Sequence, residues 1–195
     1  PCTDLRLRYR IPEVVVAITD PNEKVNGSGI RRLQEAGVKV QTGLLEAEAR
    51  WQNRRFFCLQ EKSRPYVVLK WAQSADGLMA GKKGQPISIS HTATNRLVHR
   101  WRAEESAILV GSQTAHTDNP QLTTRHWPGH NPIRVLIDRT LRIPPTAQVL
   151  NAAADTLVIN TVQSGQSGRT QWIQIGENRF DPDNWLKSLY QQNIA

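Results

Sequence analysis

The sequence is poor in cysteine and has no long apolar run. It holds two cysteines, Cys2 and Cys58, in 195 residues, too few for a disulfide framework, which predicts a reducing compartment and a cytoplasmic location. No apolar stretch approaches the roughly 20 residues that a membrane-spanning helix needs. We expect no signal peptide, because the first fifteen residues are mostly basic and polar. These features argue against a secreted disulfide scaffold and against a helical membrane protein.

Blocks of like charge and the common nucleotide-binding motifs are also missing. The formal net charge is +8, which is compatible with nucleic acid or with a phosphorylated small molecule as a ligand. The basic residues are spread along the chain, so a solvated surface is the favoured interpretation for most of them. No P-loop, G-x-S-x-G or G-x-G-x-x-G motif occurs, and Gly27-Ser28-Gly29 lacks the third glycine of a phosphate cradle.

What the chain does contain is an alternation of apolar strands and helical segments, without an internal repeat. Hydrophobic residues make up 38% and charged residues 22% of the chain, as in a globular protein with one large or two small domains. The runs at 13–19 and 38–41 predict strands. A helix that opens at Ser28 follows the first, and a helix over 44–61 follows the second. This order indicates a parallel sheet with crossover helices.

A polar stretch that ends in Pro65 predicts a domain boundary near residue 61. We therefore expect one domain over 1–61 and a second over 62–195. In the second domain the pattern predicts strands at 66–71, 107–111, 133–137, 157–160 and 172–175, and helices at 92–104 and 183–192. The helix at 92–104 is expected to carry its apolar residues Leu97, Val98 and Trp101 on one face.

Polar side chains follow two of the apolar strands. Lys70 and Asp76 lie at and after the end of the first, and Thr114, Asp118 and Arg125 follow the second. Ligands of open α/β sheets bind at the carboxyl ends of the strands, where these side chains could hold ribose hydroxyls, a polar ring and a phosphate. For Lys70 a solvent-facing strand end is the favoured alternative. The second segment is equally compatible with an Asx turn and a solvated Arg125.

Two further candidates also admit a purely structural interpretation. Arg102 lies near the end of a predicted helix, where the helix dipole favours any cation, although its guanidinium could also grip a phosphate. Cys2 is the best metal-ligand candidate, but it stands alone. A zinc site needs three or four ligands at set spacing, and none of the five histidines has a spacing that converges on Cys2.

Many short motifs of the chain occur in the order and at the spacing of one enzyme family. They are Pro1-Cys2-Thr3-Asp4, Asp20-Pro21-Asn22, Glu35-Ala36-Gly37-Val38, Arg64-Pro65-Tyr66, Leu69-Lys70, Asp76-Gly77, Arg102-Ala103, Ala107-Ile108-Leu109-Val110-Gly111, Asp118-Asn119-Pro120, Leu122-Thr123, Pro132-Ile133-Arg134 and Ile137-Asp138. Through them the chain resembles an internal fragment of the bifunctional deaminase–reductase of riboflavin biosynthesis. Residues 1–61 resemble the C-terminal tail of a cytidine-deaminase-like α/β/α domain. Residues 62–195 resemble the front of a dihydrofolate-reductase-like α/β domain.

The resemblance implies two activities in the parent protein. One is the zinc-dependent deamination of a phosphoribosylamino-pyrimidine. The other is the NADPH-dependent reduction of 5-amino-6-(5-phosphoribosylamino)uracil, in which hydride transfer converts the ribose to a ribityl chain. It also implies a phosphorylated pyrimidine as the partner molecule, a homo-oligomer, and no nucleic-acid or membrane partner.

Individual roles follow by position in the family's motifs. The resemblance implies catalytic roles for Lys70 and Asp76, NADPH contacts for Ala72, Ser88, Thr114, Asp118 and Arg139, substrate contacts for Pro86, Arg102, Leu122 and Arg125, and zinc ligation by Cys2.

The chain also departs from the family's pattern. The His-Ala-Glu segment and the first zinc cysteine are absent, so we expect no deamination by this chain. Ser88 stands where the family often has a tryptophan, and Arg139 stands at the position of a serine near the cofactor phosphate. The family's Glu-Gly-Gly segment, which holds the pyrophosphate of NADPH, would begin after Ala195, and we therefore expect weak cofactor affinity.

Two alternatives remain open. A stand-alone reductase of the same fold could act on a pterin-like substrate, although the segment around Cys2 argues against it. A basic nucleic-acid-binding module could account for the net charge, but the sequence has neither an aromatic RNA-binding sheet motif nor a clustered basic stripe.

Overall fold

The computed structural model describes residues 2–22, 25, 27–79 and 89–194. The chain forms two compact units, the first ending at Tyr66 and the second running over Val67–Ile194. Pro86 and Ser88, two of the predicted ligand-contacting residues, lie outside the described residues.

The first unit combines short helices with a pair of parallel strands. Its elements are α1 (Cys2–Arg8), β1 (Glu13–Val16), α2 (Ser28–Glu35), β2 (Lys39–Thr42), α3 (Glu46–Gln52) and α4 (Arg54–Lys62). The predicted parallel pairing is confirmed, with Glu13 opposite Lys39. The single helix predicted over 44–61 is two helices. The first ends at Gln52, and the side chain of the capping residue Asn53 donates a hydrogen bond to the carbonyl of Ala49 at 2.9 Å.

The second unit is built on a five-stranded sheet. Its elements are α5 (Thr92–Glu104), β3 (Ala107–Gly111), α6 (Ser112–Asp118), β4 (Ile133–Ile137), β5 (Thr156–Asn160), β6 (Gly165–Ser167), β7 (Thr170–Gln174) and α7 (Pro182–Gln191). The strand order is β3-β4-β5-β7-β6, and all neighbours are parallel except the β6–β7 pair. The predicted α/β class and the strands at 107–111 and 133–137 are confirmed.

Apolar residues cover both faces of this sheet, as a parallel sheet requires. Leu136 and Val158 belong to a cluster on one face, together with Ala115 of α6. Val135 belongs to the cluster on the other face, together with Leu189 of α7. Successive side chains of β4 therefore enter opposite layers, and the sheet is fixed in register by both of them. Within the described part of the chain, none of the helices is both long and apolar enough to cross a membrane.

The strand predicted at 66–71 is wrong. This segment has no regular secondary structure, and Val68 and Leu69 are 58% and 78% exposed. A β-branched run becomes a strand only when a neighbour completes its hydrogen bonds. None of the strands in the described residues pairs with it.

The apolar face predicted for α5 is not its buried side. Leu97 and Trp101 are 40% and 42% exposed and Val98 is half-buried, whereas the buried residue of this helix is His99, at 5%. The helix therefore turns a polar side chain toward the unit's interior, and it does so next to the predicted substrate arginines.

Candidate functional site

The parallel register brings two chain segments to one edge of the sheet. Gly111 at the end of β3 lies opposite Ile137 at the end of β4, so Ser112 and Asp138 leave the sheet side by side. The buried Asp138 carboxylate accepts hydrogen bonds from the backbone N–H groups of Arg142 and Ile143, at 3.1 and 2.9 Å. This turn places the Arg142 guanidinium 3.1 Å from the Ser112 hydroxyl.

Two predicted cofactor residues share one side of α6. Thr114 and Asp118 are four residues apart, one helical turn, and both are exposed. Ala115, only 2% exposed, holds the other side of the helix against the core. Asn119 ends the helix with a φ of 40°, and its side-chain oxygen accepts a hydrogen bond from the Gln148 backbone at 2.8 Å. The helix is thus held in place at its buried side and at its end, and it presents a hydroxyl and a carboxylate to solvent.

The two predicted substrate arginines meet at Thr123. Arg102 donates from Nη1 to the Thr123 carbonyl at 3.0 Å, and Arg125 donates from Nη1 to the Thr123 hydroxyl at 3.1 Å. Arg125 also donates to Gln121 Oε1 at 3.1 Å. One buried threonine therefore holds two guanidinium groups close together, although they lie 23 residues apart in the sequence.

The electrostatics of this pair favour an anion. Burial, followed by the charge of Arg125, lowers the pKa of Arg102, although an arginine stays protonated at any ordinary pH. Among the residues that the structure describes, the Arg102 Nε atom is buried and has no hydrogen-bond acceptor. An unsatisfied buried donor costs about 1–3 kcal/mol. A ligand that brings negative charge and acceptor oxygens would offset the repulsion between the two guanidinium groups and would provide an acceptor for the Arg102 Nε donor.

Leu122 lies between the two arginines in sequence. Arg134 binds the carbonyl of the preceding residue, Gln121. Leu122 is buried and has a φ of 58°, an uncommon value for leucine. Arg134 on β4 is 0% exposed. Its guanidinium donates to the carbonyls of Gln121, Gln148, Asn151 and Ala154, to the Asn151 side chain and to the Thr156 hydroxyl. The sequence indicated only a family motif at Arg134, whereas the structure shows it as the anchor of this loop.

His99 touches the same segment from α5. Its Nδ1 accepts a hydrogen bond from the Arg125 backbone N–H at 3.0 Å. Its ring lies edge-on to that of His126, with 4.6 Å between the ring centres. Burial, and then the charges of Arg102, His126 and Arg125, lower the pKa of His99 to about 4. The imidazole is therefore neutral at physiological pH.

An open cleft of about 520 Å³ lies beside this cluster. It is lined by Thr92, Asn95, Arg96, Arg125 and His126. Sequence reasoning did not assign a role to Arg96, His99 or His126. A signal was present, because Asn95, His99 and Arg102 are spaced i, i+4 and i+7 and so lie on one face of a helix.

The predicted catalytic residues lie on the irregular segment after Tyr66. Lys70 and Asp76 are exposed and Ala72 is half-buried. A hydrogen bond from the Ser74 hydroxyl, helped by backbone N–H groups, lowers the pKa of Asp76. Asp76 is therefore a carboxylate at neutral pH. Within the described part of the chain, neither Lys70 nor Asp76 forms a hydrogen bond or ion pair with the arginine cluster.

Arg139 follows β4 at the same edge of the sheet as Ser112. Its guanidinium forms an exposed ion pair with Glu177 at 2.9 Å and lies 5.7 Å from the centre of the Phe180 ring. Its backbone carbonyl accepts two hydrogen bonds from Thr161, both at 2.9 Å. Exposed ion pairs are weak, so Arg139 can exchange Glu177 for a phosphate.

Cys2 does not sit in a metal site formed by the described residues. It is exposed at the start of α1. In residues 2–22, 25, 27–79 and 89–194, no group of three histidine, cysteine, aspartate or glutamate side chains could hold a metal ion. The donor set in the described residues does not fit zinc, which needs three or four ligands.

Comparison with known proteins identifies the family. The model of the RibD C-terminal domain matches residues 65–195. The chain belongs to the RibD C-terminal domain family. The riboflavin biosynthesis protein RibD of Aquifex aeolicus is 42% identical over 199 residues, covering 100% of this chain and 56% of that protein. The chain thus spans about half the length of the curated relatives that it matches.

Solved structures agree with this assignment. A diaminohydroxyphosphoribosylaminopyrimidine deaminase/5-amino-6-(5-phosphoribosylamino)uracil reductase from Thermotoga maritima matches 100% of this chain and 55% of its own length, with a TM-score of 0.83 and 32% identity. The riboflavin biosynthesis reductase of Saccharomyces cerevisiae has the same fold over 75% of this chain and 69% of its own, with a TM-score of 0.54 and 20% identity. The expected α/β fold of a RibD reductase domain is confirmed. The deaminase tail, the domain limits and the site roles remain predictions.

Proposed function

We propose that this RibD C-terminal domain binds 5-amino-6-(5-phosphoribosylamino)uracil and takes part in its NADPH-dependent reduction in riboflavin biosynthesis. The observation that carries the proposal is the pair of Arg102 and Arg125 at Thr123, beside an open cleft. Two guanidinium groups suit a phosphate dianion, because each can offer paired N–H donors. The name of the Thermotoga maritima relative supports the choice of substrate, and the name of the Aquifex aeolicus relative supports riboflavin biosynthesis.

The residues at the edge of the sheet suit NADPH. The Asp118 carboxylate can accept hydrogen bonds from ribose hydroxyls, and the Thr114 hydroxyl can donate to a phosphate. Gly111 leaves open space where a side chain would otherwise begin, since a Cβ there would meet no atom within 4 Å. The remaining proposed contacts to NADPH come from Arg139, Ala72 and Ser88, the last of which lies outside the described residues. When bound, NADPH supplies the hydride for the reduction.

The chain's own residues divide the remaining work. Arg102 and Arg125 hold the phosphate end of the substrate, and the buried Leu122 sets the position of the loop between them. Lys70 and Asp76 are the proposed catalytic residues. Because Asp76 is ionised at neutral pH, it would accept a hydrogen bond from the substrate and would not donate a proton. Lys70 has an ammonium group, which can donate, and is therefore the proposed proton donor of the two.

The deaminase activity belongs to the proposal only for a longer protein. There Cys2 would be the last zinc ligand, at the end of a deaminase domain that residues 1–61 would complete. The other ligands are not supplied by the described residues, and no step of the reduction depends on zinc. We also propose a homo-oligomer, as the resemblance implies, in the cytoplasm, as the low cysteine count indicates.

The test is the Arg125→Ala variant of the complete protein, assayed with 5-amino-6-(5-phosphoribosylamino)uracil and NADPH. A charged hydrogen bond contributes about 1.5–3 kcal/mol, so KM for the phosphorylated substrate should rise roughly 10- to 100-fold, while the Kd of NADPH stays within about twofold. Arg100→Ala is the matched control, because Arg100 is an exposed arginine of the same helix as Arg102 and is paired with Glu104. Equal losses of affinity for substrate and cofactor would refute the proposal.

A further inference from the structure

His99 is a buried histidine with a specific backbone contact. It is 5% exposed, the one buried residue of α5. It accepts the N–H of Arg125 through Nδ1, across 26 positions of sequence. A histidine that only filled space would not need this acceptor, since a leucine of similar volume would pack at lower desolvation cost.

The geometry defines the tautomer. An imidazole nitrogen that accepts a hydrogen bond carries no proton, so the single proton of neutral His99 lies on Nε2. Among the described residues, the charged or titratable groups that act on the ring are Arg102 on the same helix and Arg125 and His126 on the following loop. None of these three is an anion, so a second proton on the ring would be repelled and the Arg125 N–H would lose its acceptor.

The loop that carries Arg125 is fastened at successive positions. Arg134 binds the carbonyl of Gln121, Arg102 binds the carbonyl of Thr123, and Asn131 accepts the N–H of Thr124 at 2.8 Å. The last of these anchors is His99. Beyond it, the exposed Arg125 side chain reaches the cleft. A long side chain samples many rotamers, so its reach depends on a backbone that is held in place.

We propose that His99 is a positioning residue, whose Nδ1 fixes the Arg125 backbone and so directs the Arg125 guanidinium toward the phosphate of a phosphorylated sugar. This proposal rests on the proposed function, because it takes Arg125 as a substrate contact. It adds a role for a residue that does not line the cleft.

The first experiment compares three replacements of His99. Asn places an amide oxygen at the position of Nδ1, Gln moves that oxygen one bond further out, and Leu removes it. Binding of ribose 5-phosphate to the full chain is measured by calorimetry at pH 7.5. We expect His99→Asn to stay within threefold of the unaltered chain and His99→Gln and His99→Leu to weaken binding at least tenfold. His116→Asn, an exposed histidine on α6, is the control and should not change the affinity.

The second experiment detects the hydrogen bond from the Arg125 N–H to His99 Nδ1 in the absence of any ligand. Long-range ¹H–¹⁵N spectra of the full chain at pH 7 report which ring nitrogen of His99 is protonated. The proposal requires a bare Nδ1 and a protonated Nε2. The Arg125 amide signal should shift in His99→Leu and His99→Gln and return toward its original position in His99→Asn.

The outcomes separate the two proposals. A protonated Nδ1, or folded His99→Leu and His99→Gln variants that bind ribose 5-phosphate as tightly as the unaltered chain, would overturn the positioning role alone. If His99→Leu does not fold, the comparison of His99→Asn with His99→Gln decides, and equal affinities overturn the role. Failure of the unaltered chain to bind ribose 5-phosphate would overturn the proposed function, and the positioning role with it.

Discussion

At the scale of single residues, a buried arginine that the sequence marked only as part of a motif makes six of the side-chain hydrogen bonds found among the described residues. Arg134 is fully buried, yet its guanidinium is surrounded by carbonyl and side-chain oxygens of two loops. A buried cation is tolerated when every donor finds an acceptor. Arg134 thereby ties the segment before Leu122 to the segment before β5, and so supports the substrate site indirectly.

Replacing Arg134 should therefore lower the free energy of unfolding of the second unit. Arg134→Met leaves several buried carbonyl oxygens without donors, and we expect a loss of about 3–5 kcal/mol in the free energy of unfolding. The measurement is urea denaturation followed by circular dichroism. Arg169→Met is the control, because Arg169 is an exposed arginine paired with Asp155 and should cost less than about 1 kcal/mol. Equal losses would show that the Arg134 contacts contribute little.

The lowered pKa of His99 makes the stability of the protein depend on pH. The folded protein holds His99 neutral down to about pH 4, whereas an unfolded histidine takes up a proton near 6.5. The contribution of His99 to the free energy of unfolding is thus complete above pH 6.5. It is lost as the pH falls from 6.5 toward 4, by up to about 3 kcal/mol. Urea denaturation at pH 7.5, 5.5 and 4.5 should show a shallower decline for His99→Asn than for the unaltered chain. Identical declines would contradict this assignment.

At the scale of elements, two apolar runs of similar composition have different fates. The run at 107–111 is β3, because β4 pairs with it along its whole length. The run at 66–71 stays irregular and exposed, because no strand of the described residues lies beside it. Composition indicates that a segment can form a strand. Whether it does depends on a neighbour that hydrophobic periodicity does not reveal.

A glycine sets the distance between α5 and the loop that follows the arginine pair. Gly129 has a φ of +137°, and a Cβ at this position would lie 2.8 Å from the Cβ of Ala103. We expect Gly129→Ala to lower the free energy of unfolding by about 2–4 kcal/mol, through backbone strain and overpacking together. Gly168→Ala is the matched control, because Gly168 also has a positive φ, of +54°, but no atom lies near its missing Cβ.

Urea denaturation of the two glycine variants separates strain from contact. Gly168→Ala should lose only about 1 kcal/mol, the cost of a left-handed backbone for an L-residue. A Gly129→Ala variant as stable as Gly168→Ala would mean that α5 and the loop can move apart without cost. In that case Ala103 would not be the limiting contact.

At the scale of the whole molecule, the net charge of +8 predicts weak and non-specific association with DNA. Such binding comes from counterion release, so its affinity should fall at least tenfold between about 50 and 200 mM salt. Fluorescence anisotropy with two unrelated duplexes would measure both the salt dependence and the selectivity. Sub-micromolar affinity for only one of the duplexes at about 150 mM salt would favour the nucleic-acid-binding alternative over a phosphorylated small molecule.

Much of the second unit's framework could be predicted from the sequence. The helix at 92–104 and the strands at 107–111 and 133–137 have the predicted bounds. These elements carry strong local signals, namely continuous apolar runs and a long helical pattern. The family resemblance implied that Arg102 and Arg125 contact the same substrate. It did not predict that both would donate hydrogen bonds to Thr123. That contact joins residues 21 positions apart, whose approach depends on how the loop packs against α5.

Apolar periodicity and motif spacing are properties of the chain alone, and they were enough to predict the α/β class, the parallel pairing of the first unit's two strands, and the family. Three findings required the folded chain: 66–71 is not a strand, His99 and not Leu97 is the buried residue of α5, and carbonyl oxygens enclose Arg134. Each of these depends on partners distant in sequence. The free energy of burying a polar group is set by those partners, and local composition does not specify them.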